Sequence, residues 1–214
     1  ALNAGKPETF RNIAEILPTR RVPTSATASP LTRAATPLQL DYEFDGGRYS
    51  IKEFVRRTDT TGLLILKDNH ILFEGYYLGA DEKDTFQSFS AGKSFVSTLV
   101  GIAQADGLIK SIEDPVIRYL PEVKGSAYEH AKIRDVLQMA SGTSYSEEYT
   151  NPDSDIAELT RIMEDSQGGL YDFARSFKSL RPPGTQFYYA SADTEILGAL
   201  VSRVSGQSLS AYMS

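Results

Sequence analysis

Apolar positions change their spacing twice along the chain, and the changes divide it into three zones. In the first 60 residues, one short stretch recurs at helical spacing, Phe10, Ile13 and Leu17. Pro18 ends it, because the residue before a proline is pushed out of the helical region. Residues 18–37 hold four prolines, five threonines and two serines with no acidic residue, the composition of an extended segment and not of a core element. Ser50 and Glu53 make a capping-box pair, and Ile51, Phe54 and Val55 supply the apolar positions of a short helix. Leu63 to Leu66 is then an unbroken apolar run, Asp68-Asn69 is turn chemistry, and Ile71 to Tyr77 runs back. That pattern predicts a hairpin whose first arm is covered on both faces.

From Ser90 onward the period is helical. Phe95, Leu99 and Ile102 line one face, Val96, Val100 and Ala103 widen it, and Asp106-Gly107 closes the helix. Further helical stretches are expected near 132–140, 154–165 and 170–179, until Arg181-Pro182-Pro183-Gly184 breaks the chain. A last helix runs from about Ala192 to Val204, with Ile196, Leu197, Leu200, Val201 and Val204 apolar and Gly206 as its stop. Strands followed by a mainly helical block predict an α+β fold, with residues 1–60 as an irregular arm and 61–214 as the main body.

Composition narrows the chemistry. The 214 residues carry 22 basic and 28 acidic side chains, a net charge of −6, which argues against a nucleic-acid partner because counterion release needs a basic face. The absence of cysteine excludes disulfides, thiolate metal sites and cysteine nucleophiles. His70 and His130 are the only histidines and lie in unrelated segments, so neither a metal centre nor a Ser-His-Asp triad has support, and both are expected to be solvent-exposed. Asp153, Asp155, Glu158, Glu164 and Asp165 read as one solvated helix face. The best apolar run, Phe95 to Ala105, is broken by Ser97, Thr98, Gly101 and Gln104, so no membrane span is expected.

Two motifs carry candidate chemistry. Gly92-Lys93-Ser94 resembles the tail of a phosphate-binding loop, but Gln87 stands where the leading glycine is required and a polar stretch precedes it. Ser90-Ala91-Gly92-Lys93 reads differently. Serine at i and lysine at i+3 on the first turn of a helix share a face. The hydroxyl then sits at the positive end of the helix, and a partly neutral amine beside it can take its proton. The plain alternative is an N-cap serine and a surface lysine. The second motif, Phe187 to Asp193, sets Tyr189 at the mouth of a strong helix with Ser191 two residues on. That placement suits a proton relay, and the plain alternative is aromatic packing.

These motifs fall in a familiar order. Tyr76-Tyr77, Ser90-x-x-Lys93, Gly107 to Val116, Tyr119-Leu120-Pro121, Ile133 to Leu137, Ser141-Gly142, Pro183-Gly184-Thr185 and Tyr189-Ala190-Ser191 resemble the serine β-lactamases of the class C type. D-alanyl-D-alanine carboxypeptidases and related esterases share that order. Tyr145 to Pro152, the serine at position 191 and the Phe10 to Arg21 arm are similar to the amide-hydrolysing branch that acts on 6-aminohexanoate oligomers. The resemblance runs from about Leu63 to the chain end.

It implies a helical domain packed on an antiparallel sheet, with Ser90 as the acylated nucleophile, Lys93 as its proton acceptor and Tyr189 as the relay to the leaving group. It implies substrate contacts for Tyr149, at an amide nitrogen, and for Ser191, where many relatives have asparagine. No cofactor and no metal are implied, and the expected partner is a small amide or ester. The family's third motif, a strand with an oxyanion donor, is expected beyond Ser214, so the sheet is expected to be completed by a carboxyl-terminal remainder of the same protein. A penicillin-binding protein that acylates without turnover, or a D-alanyl-D-alanine carboxypeptidase, is the alternative.

Overall fold

A computed structural model describes residues 7–24, 27, 29–36, 38–165 and 169–214, with the backbone alone at Pro7 and Glu8. Ser25, Ala26, Ala28 and Pro37 of the proline- and threonine-rich stretch lie outside the described residues. Contacts gather into two units, Ala1–Ile13 with Ser25–Gln87, and Ala14–Thr24 with Ser88–Ser214. Two short helical turns, α1 (Pro7–Arg11) and α2 (Ile13–Ile16), fall where Phe10, Ile13 and Leu17 recur.

The first unit is built on strands. Thr32–Arg33 (β1) lies in the extended segment, and Asp41–Phe44 (β2) pairs antiparallel with Gly47–Ser50 (β3). Asp45 and Gly46 turn between them with φ of 49° and 72°, the left-handed pair that a two-residue hairpin needs. This second hairpin was not expected, although Asp-Gly between Tyr42 and Tyr49 is its signal. Helix α3 (Ile51–Arg57) starts on the expected capping box: the Ser50 hydroxyl accepts from the Glu53 amide, and the Ser50 amide donates to the Glu53 carboxylate at 2.9 Å.

The expected long hairpin is β4 (Gly62–Lys67) against β5 (His70–Tyr76). Two details differ from expectation. The sheet is mixed, because β1 adds in parallel along β5 to give the order β1-β5-β4. Strand β4 is not covered on both faces among the described residues. Its residues alternate, with Leu63 and Ile65 half-buried while Leu64 and Leu66 are 50% and 46% exposed, as the two-residue period of a strand dictates.

The second unit is helical. It holds α4 (Gly92–Ala105), α5 (Ile133–Leu137), α6 (Asp155–Asp165), α7 (Leu170–Ala174), α8 (Ser191–Ser205) and α9 (Leu209–Tyr212). Helix α8 is the centre, packed against α4, α5, α7 and α9. Its Ile196, Leu197, Leu200 and Val201 meet Leu99, Val100 and Ala103 of α4 and Ile133 and Val136 of α5 in one core that also takes in Tyr128 and Tyr145. The expected Phe95–Leu99–Ile102 face of α4 is corrected here: Phe95 and Ile102 are exposed, and the buried stripe runs Val96, Leu99, Val100, Ala103, the i, i+3, i+4, i+7 set of a single helix face. Helices α5 and α7 are also shorter than expected, because the chain leaves α5 through a left-handed Met139 and residues 178–180 pair with 142–144 in extended form.

That extended pairing sets the frame of the site. Gly142 has φ +77°, and a β-carbon there would overlap the Arg181 carbonyl, so only glycine fits. Leu180 donates its amide to Gly142 O, Gly184 to Ala140 O and Tyr188 to Met139 O, at 2.7–2.8 Å. The Ser141-Gly142 and Pro183-Gly184 motifs are thereby laced together, and Tyr188 leads directly into Tyr189 and the start of α8.

Candidate active site

Ser90 sits in a 3-10 turn, Phe89–Ala91, immediately before α4 and not on the α-helix itself. Phe89 before it holds φ +45°, a costly conformation for a bulky residue and one that clusters at functional turns. Lys93 lies in the first turn of α4, and its Nζ donates to Ser90 Oγ at 3.0 Å. Ser90 is exposed and Lys93 half-buried, so a solute reaches the hydroxyl while the amine stays partly shielded. The Lys93 ammonium lies 5.3 Å from the ring centroid of Tyr189, close enough for a cation–π contact. Three of the five expected site residues, Ser90, Lys93 and Tyr189, are therefore brought together.

Ser191 and Tyr149 meet each other through a residue that the sequence did not single out. Glu147 Oε2 accepts the Ser191 amide at 2.8 Å, and its Oε1 accepts both the Ser191 hydroxyl at 2.8 Å and the Tyr149 hydroxyl at 2.6 Å. Ser191 opens α8, so the carboxylate also lies at the positive end of a 15-residue helix, where negative charge is favoured. Desolvation of the hydroxyl, and then its bond to Glu147, push the Tyr149 pKa above the ordinary tyrosine range. The available signal was an acidic residue two positions before Tyr149, a pattern that many loops share.

Beneath these groups lies a sealed carboxyl. Asp193, in the first turn of α8, is fully buried, and its Oδ1 accepts from Ser141 Oγ at 2.7 Å and Tyr128 Oη at 3.0 Å. Among the described residues its Oδ2 has no hydrogen-bond partner. Burial pushes this acid up to about 7 against the pull of its bonds from Ser141 and Tyr128. Two residues on, burial raises Glu195 also, opposed by the charge of Lys93.

The remaining candidates behave as bystanders with one exception. His70 and His130 are exposed, and the His70 ring bonds the Asp68 carbonyl at 2.8 Å. Among the expected solvated acids of α6, Asp155 instead turns back and accepts the Ser146 amide at 2.7 Å. Among the described residues, no three histidine, cysteine or carboxylate side chains are grouped to hold a metal ion, and no helix is long and apolar enough to cross a membrane.

The profile of the family described as Beta-lactamase matches residues 50–214, a span that includes Ser90, Lys93, Glu147, Tyr149, Tyr189 and Ser191. The chain belongs to the β-lactamase family. This β-lactamase-family chain is 28% identical to 6-aminohexanoate-dimer hydrolase of Paenarthrobacter ureafaciens, over 95% of its own length and 53% of that protein. It is 23% identical to a β-lactamase of Pseudomonas fluorescens, over 74% of its length and 43% of that one. It thus spans about half the length of these curated relatives. Among solved structures, a Bacillus anthracis protein provisionally assigned as a 6-aminohexanoate-dimer hydrolase superposes with a TM-score of 0.77 at 19% identity, covering 95% of this chain and 56% of that one. An octameric penicillin-binding protein homologue from Pyrococcus abyssi gives a TM-score of 0.54 at 20% identity, over 74% and 38%. Together they establish the β-lactamase/transpeptidase-like fold, with helices and a small mixed sheet.

Proposed function

We propose that the protein is a serine hydrolase that cleaves amide or ester bonds through an acyl-enzyme on Ser90. The observation that carries this reading is the 3.0 Å bond from Lys93 Nζ to Ser90 Oγ at the start of α4. A hydroxyl is a weak nucleophile until a base removes its proton, and a lysine amine in its neutral form within hydrogen-bond reach is such a base. In acylation, Ser90 Oγ forms a bond to the substrate carbonyl carbon and its proton passes to Lys93. The carbon–nitrogen or carbon–oxygen bond then breaks, with the leaving group taking a proton by way of Tyr189. In deacylation, water bonds through its oxygen to the acyl carbon and gives one proton to the base, and that proton passes to Ser90 Oγ as the acyl–oxygen bond to the enzyme breaks. The Ser90 backbone amide, at the turn into α4, is the local donor for the oxyanion.

The substrate class is narrowed by likeness and by Tyr149. Similarity to 6-aminohexanoate-dimer hydrolase favours small linear amides of that kind, with short-chain esters as the easier substrates. Tyr149 is 71% exposed and stands as the group to meet the leaving nitrogen.

The test is covalent. The full-length protein is treated with a fluorophosphonate and with a p-nitrophenyl ester, and the modified peptide is mapped by mass spectrometry. A single adduct on Ser90 with steady turnover is the expected result. An adduct on Ser88 or Ser94 overturns the assignment, and acylation of Ser90 without release would mark a penicillin-binding protein that does not turn over.

A further inference from the structure

We propose that Glu147 is a positioning residue that turns the Tyr149 hydroxyl into a hydrogen-bond acceptor, and thereby selects substrates whose scissile nitrogen carries a hydrogen. The inference rests on the serine-hydrolase reading above and deepens it. A carboxylate only accepts, and a phenol has one proton to give. With Tyr149 Oη 2.6 Å from Glu147 Oε1, that proton is committed to the carboxylate in a short charge-assisted bond. What Tyr149 presents outward is its lone pairs.

Glu147 is itself held in place. Ser191 donates to it twice, from its amide and from its hydroxyl, each at 2.8 Å, and Ser191 is only 8% exposed at the head of α8. The geometry therefore runs from the rigid helix start, through a clamped carboxylate, to a tyrosine at the surface. Ser191 gives both of its donors to this clamp, and the lone pairs of its hydroxyl stay available to a substrate donor. Because the Tyr149 acid is held above its ordinary range, the arrangement persists through neutral pH.

The consequence is chemical. A secondary amide offers an N–H that an acceptor can bind, and holding that hydrogen leaves the nitrogen lone pair free for the proton delivered by Tyr189. A tertiary amide or an ester has no hydrogen at that atom and meets lone pair with lone pair. Esters still react, because an alkoxide or phenoxide leaves without such help.

Glu147→Gln tests this without a change of size. The Ser191 amide is a donor, so it fixes the new carbonyl at the Oε2 position and puts the NH₂ where Oε1 stood. Tyr149 then accepts from that side-chain amide, and its own proton turns outward. Three substrates with one acyl group are compared in the full-length protein: a secondary p-nitroanilide, its N-methyl analogue and the p-nitrophenyl ester. Glu147→Gln is expected to lower kcat/KM on the secondary anilide on the order of 10–100-fold more than on the ester or the N-methyl anilide. Tyr149→Phe is expected to depress the secondary anilide in the wild-type background but to add little in the Glu147→Gln background, because residues acting as a unit are non-additive. Equal losses on all three substrates, or additive losses in the double variant, overturn the proposal. Should Glu147→Gln fold poorly, the wild type decides: equal turnover of the secondary and N-methyl anilides also overturns it. Failure of the ester to acylate Ser90 in the wild type would instead strike at the serine-hydrolase reading.

Discussion

The helical unit keeps two polar clusters and treats them in opposite ways. Ser90, Lys93 and Tyr149 lie at or near the surface, where one hydrogen bond links Lys93 to Ser90 and another links Tyr149 to Glu147. Asp193, Ser141 and Tyr128 are buried in the core among Leu200, Val201 and Ile133. A group that must meet a substrate has to stay reachable, and it gains little stability from its partners. A buried carboxyl can touch no solute, and every donor it lacks costs folding free energy. The outer cluster should therefore answer to substitution in rate, and the inner one in stability and its pH dependence.

Ser90→Ala is the strongest way to separate them. Losing the nucleophile removes the proposed covalent route, so turnover should fall on the order of 10⁶-fold, while the urea midpoint stays within error of the wild type. A variant that unfolds early would place Ser90 in the frame and not in the chemistry. Lys93→Arg comes next: it keeps the charge but supplies no neutral amine near pH 7. It should be nearly as damaging as Lys93→Ala. Tyr189→Phe removes one hydroxyl and should cost on the order of 10²–10⁴-fold, the range of a general acid–base group. Near-full activity with arginine at 93 would sink the lysine-base mechanism.

The inner cluster is tested by pH. Asp193 is pushed up to about 7 from an ordinary 3.8, so the folded protein holds a proton that the unfolded chain releases above about pH 4. Stability from this group is complete below the unfolded value and is lost as pH rises through 7. The loss is about 4 kcal/mol for a shift of about three units. An asparagine at this position would have no charge to bury and could still accept from Ser141 and Tyr128. Asp193→Asn should therefore flatten the stability profile between pH 5 and 8 and raise it at pH 8. Urea unfolding at four pH values reads this directly, and an unchanged slope would refute it. Ser141→Ala is the smallest effect. It removes one of the two side-chain donors and should cost about 1–3 kcal/mol, more at pH 8 than at pH 5 because the charged form needs the donor most.

The same contrast explains what could be read in advance. Patterns that act within a few residues were legible: the Ser50–Glu53 capping box, the Asp68-Asn69 turn between β4 and β5, and the α8 stripe ending at Gly206 are all local consequences of spacing and turn chemistry. Ser90 and Lys93 were legible for that reason, since three residues on one helical turn bring their side chains within reach whatever surrounds them. The period of α4 also marked it as amphipathic, but two overlapping stripes were available and only packing against α8 chose Val96–Leu99–Val100–Ala103 over Phe95–Leu99–Ile102.

Tertiary structure alone decided the rest. Glu147 and Ser191 are 44 residues apart and Ser141 and Asp193 are 52 apart, and no local pattern pairs groups at such separations. What pairs them is the lacing of residues 140–144 to 178–184, which depends on a glycine at 142 with no β-carbon to strike Arg181. By itself the sequence determined the main hairpin, the long helices α4 and α8, the serine with its neighbouring lysine, and the family. The direction in which each hydroxyl points its proton, and the burial that lifts Asp193 toward neutrality, exist only once distant segments are packed together, because hydrogen bonds and desolvation depend on neighbours in space and not along the chain.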